Sequence, residues 1–147
     1  MKIVRDILVA KSGDIDAIGP EASVLQALRV MAEREIGAVL VRDPSGHVHG
    51  LLSERDYARK VVLLGKTPKD TRVSEIMTPA ARMYWVRPTT PLEECLALMG
   101  VRQIRHLPVF DEGRLAGLIS IGDVVNALLA ERQDLIEQLS AYIAGRD

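Results

Sequence analysis

The sequence has little of several features that would point to common functions. It has one cysteine, Cys95, so it can form neither a disulfide framework nor a thiolate cage for zinc. One Trp, three Tyr and one Phe are too few for the aromatic platforms of single-strand nucleic-acid binders. With 19 Lys and Arg against 20 Asp and Glu, the chain lacks the positive charge that favours binding to nucleic acid or an acidic membrane.

Long apolar segments are also missing. No apolar run reaches the roughly 18 residues of a membrane span, and residues 1–13 lack the apolar core of a signal peptide. We therefore expect a soluble, cytoplasmic chain with no nucleic-acid or membrane partner. The sequence does have a hydrophobic content of 48% over 147 residues, which suffices for one compact domain or two very small ones.

An internal repeat organises the chain. Residues 20–43 align with residues 88–111 at one constant offset, which shortens by one residue after the following turn. Upstream, residues 4–7 resemble residues 73–76. The order of the identities indicates a tandem duplication. The identical pairs include Pro20/Pro88, Leu28/Leu96, Met31/Met99, Ile36/Ile104, Asp43/Asp111, Gly50/Gly117, Ser53/Ser120 and Asp56/Asp123.

Each repeat is predicted to fold as β-α-β-β-α. The first helix carries apolar residues at helical spacing, such as Leu28 and Met31. Hairpin-turn residues separate the last two strands, and the second helix is predicted to start at Ser53 and at Ser120. The predicted strands are 15–18, 38–41 and 48–52 in the first repeat and 83–86, 107–110 and 115–119 in the second.

The junction between the last strand and the second helix is the most informative segment of each repeat. A strand glycine (Gly50) lets another backbone or a flat ligand approach closely, and Ser53 and Asp56 follow at the helix start. One interpretation is structural, because this spacing is a capping-box variant. The other is functional, because the carboxylate could accept hydrogen bonds from two neighbouring hydroxyls of a ribose.

The ordered motifs resemble a known family. With their counterparts in the first repeat, they make residues 3–130 similar to a pair of CBS domains, named after cystathionine β-synthase. The resemblance implies a pseudo-two-fold Bateman module that binds AMP, ADP, ATP, S-adenosylmethionine or NAD(H) in clefts between the repeats. The motifs are Ile76-Met77-Thr78, residues 104–109 (Ile-Arg-His-Leu-Pro-Val), Asp111, Gly113, residues 117–120 and Asp123.

The resemblance also implies roles for individual residues. Asp56 and Asp123 would bind ribose, helped by Ser53 and Ser120 respectively. The adenine slots would be lined by Ile18 and Val86, with the backbone near Thr78 beside one of them.

Phosphate contacts are implied for Arg105 and His106, which would reach across to the opposite repeat. Arg55, directly before Asp56, is a second phosphate candidate. Asp56 and Arg55 could therefore converge with Arg105 and His106 on one charged site. The first repeat has Gly and Ala where the second has Arg105 and His106. Pro91 stands where the family usually has Thr, which removes a hydroxyl and a helix cap, so the Asp123 site is expected to be the poorer one.

The remaining candidates have plainer interpretations. His47 and His49 share a strand face but have no third ligand, so a solvated hairpin is expected and no metal. Cys95 lies on the apolar helix stripe and is expected to be a buried hydrophobe. No nucleophile–base pair, paired catalytic carboxylates or Walker A loop is evident, so we expect no catalytic activity. Three basic side chains could reach a phosphate but are expected to be solvated: Lys11, Arg59 and Lys60.

The last segment of the chain continues an apolar stripe beyond the repeat. Residues 124–143 are predicted to be a helix whose stripe needs a partner surface. CBS modules commonly dimerise through their second helices, so we expect a homodimer or, failing that, an unidentified protein partner. A ligand-independent interaction module is the alternative function. The predicted domains are 1–65 and 73–130, with a linker at 66–72 and a helical extension at 131–147.

Overall fold

A computed structural model describes residues 1–11 and 15–145. Among these residues the chain forms two compact units. One unit, called here the first-repeat unit, comprises residues 15–84. The other, the second-repeat unit, comprises residues 1–11 and 85–145. None of the described helices is long and apolar enough to cross a membrane.

The elements follow the repeat seen in the sequence. The helices are α1 (Val4–Ala10), α2 (Val24–Arg34), α3 (Glu54–Tyr57), α4 (Val73–Ile76), α5 (Leu92–Arg102) and α6 (Ile121–Ala144). The strands are β1 (Ala17–Ile18), β2 (Ala38–Arg42), β3 (Val48–Ser53), β4 (Thr78–Pro79), β5 (His106–Asp111) and β6 (Arg114–Ser120). A π-helical turn (Ala58–Val62) extends α3, and a 3₁₀ turn (Ala80–Arg82) follows β4.

The first-repeat unit is built on a four-stranded sheet in the order β1-β2-β3-β4. β1 runs parallel to β2, and the other neighbouring strands are antiparallel. Val39 and Val41 alternate along β2, so both point to one face, where they join the core with Met31 of α2 and Leu52 of β3. Val73 and Ile76 of α4 complete this core.

The second-repeat unit has a two-stranded antiparallel sheet, β5-β6. Its core contains Met99 of α5, Leu107 and Val109 of β5, and Val4 and Ile7 of α1. The expected strand at 83–86 is reduced to one bridge, in which Val86 pairs with Val109. The 3₁₀ turn ends just before this segment and Pro88, which has no N–H, follows it, so the pairing cannot extend.

The segment that precedes each repeat packs in the core of the other repeat: residues 4–7 in the second-repeat unit and residues 73–76 in the first-repeat unit. Val4 N donates to Thr90 O (2.9 Å), and Val73 N donates to Ala22 O (2.8 Å), which is the equivalent residue of the first repeat. The similarity of residues 4–7 to residues 73–76 is thereby explained. In both segments, a Val and an Ile three residues apart fill the same place in a core.

Candidate functional site

The same serine–aspartate cap begins the second helix of both repeats. Ser53 N donates to Asp56 Oδ2 (3.0 Å) and Asp56 N donates to Ser53 Oγ (3.2 Å). The corresponding distances at Ser120 and Asp123 are 2.9 and 3.0 Å. The capping-box interpretation is therefore confirmed, and the cap fixes each carboxylate at the end of a strand. Side-chain exposure is 14% for Asp56 and 28% for Asp123, so neither carboxylate is sealed in a core.

A lysine ammonium binds each of these carboxylates. Lys60 Nζ lies 3.1 Å from Asp56 Oδ1 and donates to Ile76 O at 3.0 Å. Lys11 Nζ lies 2.8 Å from Asp123 Oδ2 and donates to Leu118 O at 3.0 Å. The expectation that these lysines are merely solvated is wrong. Lys60 lies one helical turn after Asp56, so the sequence could have indicated their ion pair. Lys11 and Asp123 are far apart in sequence, and their ion pair could not be inferred from spacing.

Asp123 is held in its ionised form. Burial acts to raise the pKa of its carboxyl group, but the hydrogen bonds from Lys11 and Ser120 outweigh that effect and lower the pKa below its ordinary value. An ionised carboxylate only accepts hydrogen bonds. At neutral pH the side chain is thus suited to bind hydroxyl or ammonium groups.

Arg105 and His106 flank the Asp123 cap. His106 pairs with Ser120 across β5 and β6, and Ile121 N donates to Arg105 O at 2.8 Å. Burial lowers the pKa of His106, Lys11 and Arg105 lower it further by repulsion, and Asp123 acts in the opposite direction. The ring is therefore mostly neutral at pH 7 and would act as a hydrogen-bonding group rather than a cation.

The first-repeat unit places Thr78 beside its own cap. Thr78 of β4 pairs with Leu51, and Pro79 pairs with Gly50. A Cβ on Gly50 would collide with the Thr78 carbonyl oxygen, so this close approach of two backbones needs glycine. Ile18 pairs with Val41 in β1 and packs against the core of the same unit.

The remaining site candidates have simple locations. Val86 lies in the core of the second-repeat unit with 6% exposure, and Arg55 is exposed on α3. Arg55 and Asp56 belong to one unit and Arg105 and His106 to the other, so their convergence stays a prediction. Pro91 makes no side-chain cap to α5, as the sequence indicated. At the equivalent position of the first repeat, Ser23 caps α2 because its side chain accepts a hydrogen bond from Gln26 N.

Two other groups were candidates for chemistry. Cys95 is fully buried, and burial together with Glu94 raises the pKa of its thiol to about 11, which disfavours the thiolate that a nucleophile requires. His49 Nε2 lies 2.8 Å from Asp43 Oδ2 in the β2–β3 hairpin, and the rings of His47 and His49 touch edge to face. Within residues 1–11 and 15–145, no three His, Cys, Asp or Glu side chains are grouped to hold a metal.

Comparison with known proteins identifies the repeat. The family model described as "CBS domain" matches residues 4–63 and 73–130. The Arabidopsis thaliana mitochondrial CBS domain-containing protein CBSX3 is 32% identical, over 97% of this chain and 72% of its own length. A solved protein with CBS domains from Burkholderia ambifaria is 46% identical, with a TM-score of 0.82 over 88% of this chain and 95% of its own.

Three more distant solved structures share the fold. Hypoxic Response Protein I, with two coordinated zinc ions, is 26% identical (TM-score 0.69, 85% of this chain, 98% of its own). A CBS domain pair in complex with 5′-methylthioadenosine and S-adenosyl-L-methionine is 21% identical (TM-score 0.76, 89% and 98%). A hexameric cyanobacterial CBS-CP12 protein is 24% identical (TM-score 0.72, 96% and 84%). On the strength of both matched repeats, this chain belongs to the CBS domain family and is a tandem CBS pair.

Proposed function

We propose that this CBS pair binds an adenine nucleotide, either AMP, ADP, ATP or NAD(H), and acts as a sensor or regulatory module without catalytic activity. One observation carries the proposal. In both repeats a partly exposed aspartate is held by a serine cap at the end of a strand, with carboxylate oxygen left to accept hydrogen bonds. A ribose presents two adjacent hydroxyl donors, which such a carboxylate can bind together.

The neighbouring residues supply the rest of a nucleotide site in this proposal. Ile18, Val86 and the backbone at Thr78 would contact the adenine. Arg55, Arg105 and His106 would contact the phosphates, with His106 donating or accepting as a neutral ring. The complex of a related CBS pair with two adenosyl compounds supports the proposal only in that the fold can hold such ligands.

The proposal is tested by thermal shift of the full chain with AMP, ADP, ATP, NAD(H) and S-adenosylmethionine. At a hundredfold excess over Kd, binding should stabilise the fold by roughly 2.7 kcal/mol. Asp56→Asn and Asp123→Asn keep an oxygen for the cap but remove the negative charge, so each should weaken binding at its own site by about tenfold or more. Asp134→Asn, at an exposed position of α6, is the matched control. An unchanged shift in both cap variants would refute the ribose role.

A second candidate function is a ligand-independent interaction module. The observation that favours it is the exposed apolar face of α6, which includes Leu135, Leu139 and Tyr142. We propose that this face joins two copies of the chain in the cytoplasm, with no nucleic-acid or membrane partner. No shift with any nucleotide, together with self-association, would favour this candidate over the nucleotide sensor.

A further inference from the structure

The two cap aspartates are neutralised in the same way by lysines from different places in the repeat. Lys60 follows Asp56 on the same helical segment, whereas Lys11 follows α1 and reaches Asp123 from there. The second repeat has Ala127 at the position equivalent to Lys60, and the two positions that can correspond to Lys11 are Pro79 and Ala80, neither of which is basic. The duplication therefore did not copy this ion pair, and each repeat supplies an ammonium group by its own route.

Each ammonium group also retains the capacity to bind something more. Lysine has three N–H donors, of which one meets the aspartate and one meets a backbone carbonyl, that of Ile76 or of Leu118. Side-chain exposure is 43% for Lys60 and 46% for Lys11, so both are reachable from solvent. Because each ammonium group is reachable from solvent and lies at the end of a long flexible side chain, it can exchange its carboxylate partner for another anion.

The hydrogen bonds to Asp56 show what such an exchange would achieve. Its Oδ2 accepts from both Ser53 N and Ser53 Oγ, and its Oδ1 accepts from Lys60. Oδ1 has two acceptor positions and Lys60 occupies one of them, so one is left for the two hydroxyl donors of a ribose. At Asp123, the bonds from Ser120 N and Lys11 both end on Oδ2, so Oδ1 is the oxygen that we expect to meet a ligand.

We propose that Lys11 and Lys60 determine specificity, each binding the phosphate of a nucleotide whose ribose is held by the neighbouring aspartate. This inference rests on the proposed function. A phosphate monoester carries nearly two negative charges at pH 7 and attracts the ammonium more strongly than one carboxylate does. When Lys60 moves to the phosphate, it frees Asp56 Oδ1 for the ribose. At Asp56, an uncharged nucleoside would displace Lys60 and offer no anion in return. At both sites only a phosphate gives the ammonium group a second anionic partner, so the sites select nucleoside phosphates.

The test is isothermal titration calorimetry of the full chain with AMP and with adenosine. Lys11→Met/Lys60→Met should weaken AMP binding about tenfold or more while adenosine binding is unchanged or tighter. Lys11→Arg/Lys60→Arg keeps both charges and should retain most of the preference for AMP. Lys69→Met, at an exposed lysine between the repeats, is the control for loss of positive charge. Circular dichroism would verify that each variant is folded.

The outcomes separate this inference from the proposed function. If the wild-type chain prefers AMP over adenosine and the double Met variant loses that preference, the lysines bind the phosphate as proposed. If adenine ligands bind but the preference survives in the Met variant, or is absent from the wild-type chain, the lysine inference is overturned and the nucleotide function stands. If neither compound nor any other adenine nucleotide binds the wild-type chain, the proposed function itself fails.

Discussion

At His106, burial and neighbouring charges together set the pKa of the ring. Burial and the charges of Lys11 and Arg105 lower the pKa of its ring, Asp123 acts in the opposite direction, and the net result is a pKa below the ordinary 6.5. A folded-state pKa that is lowered means that the unfolded chain binds the proton more readily. The neutral ring thus contributes stability that is fully present above about pH 6.5 and is lost as pH falls towards the folded-state pKa.

We predict that the His106 ring titrates below pH 6.5 in the folded chain and near 6.5 in concentrated urea, as followed by NMR of the ring protons. AMP affinity should then change little between about pH 7 and 8, because the His106 ring is mostly neutral there and the phosphate is already ionised. His106→Gln keeps a neutral polar group and serves as the comparison. A folded-state midpoint above 6.5, with affinity falling as the ring loses its proton, would contradict this account and restore a cationic phosphate contact.

Single residues differ in how far the sequence could reveal their contacts. The Ser-x-x-Asp spacing predicted the cap correctly, because the partners lie within one helical turn. The ion pair of Lys60 is also local and could have been inferred from its distance to Asp56. The contact of Lys11 with Asp123 depends on how α1 packs in the second-repeat unit, and no local pattern encodes it.

The equivalent strand glycines of the two repeats, Gly50 and Gly117, differ in the atoms that surround them. A Cβ on Gly50 would collide with the backbone oxygen of Thr78, which is fixed in the pairing of β3 with β4. A Cβ on Gly117 would meet the Cδ2 atom of Leu8 at 2.6 Å, and a flexible side-chain end can move aside. The same substitution should therefore be tolerated differently in the two repeats.

We predict that Gly50→Ala lowers the free energy of unfolding by about 1–3 kcal/mol, the usual range for overpacking, and that Gly117→Ala lowers it by less. Urea unfolding of the two variants beside the wild-type chain measures the difference. Equal losses would mean that β3 and β4 are not held as closely as the structure shows.

The elements themselves were predictable where a pattern is local. Apolar spacing identified α2 and α5, and the long stripe identified α6, which extends from Ile121 to Ala144. The expected strand at 83–86 was too long, because its composition says nothing of the turn before it or the proline after it. The role of residues 4–7 and 73–76 was also hidden, since a repeat shows which segments are equivalent but not which core they fill.

For the whole molecule, the most prominent surface feature is the last part of α6. The helix has 24 residues and is about 36 Å long, and every residue from 132 to 145 is exposed. Leu135, Leu139 and Tyr142 recur at the spacing of a coiled-coil seam, and Ile136 and Ile143 widen it. A second copy of the chain offers the matching seam, which is the basis of the proposed homodimer.

We predict that Leu139→Glu shifts the chain from dimer to monomer at micromolar concentration, because it places a charge in the apolar seam. Size-exclusion chromatography with light scattering reports the mass directly. Ala141→Glu places the same charge on the opposite side of the helix and should leave the dimer intact. A wild-type chain that runs as a monomer would rule out the homodimer, and a dimer that survives Leu139→Glu would place the interface elsewhere.

In the proposed nucleotide site, Asp56 and Asp123 hold the two hydroxyls of a ribose. Calorimetric titration with AMP and with its 2′,3′-dideoxy analogue tests this claim directly, because the two ligands share the base and the phosphate and differ only in the hydroxyls. We expect the analogue to bind the wild-type chain at least about tenfold more weakly, and the Asp56→Asn/Asp123→Asn variant to bind both ligands equally weakly. Equal affinity of the wild-type chain for AMP and the dideoxy analogue would contradict the account.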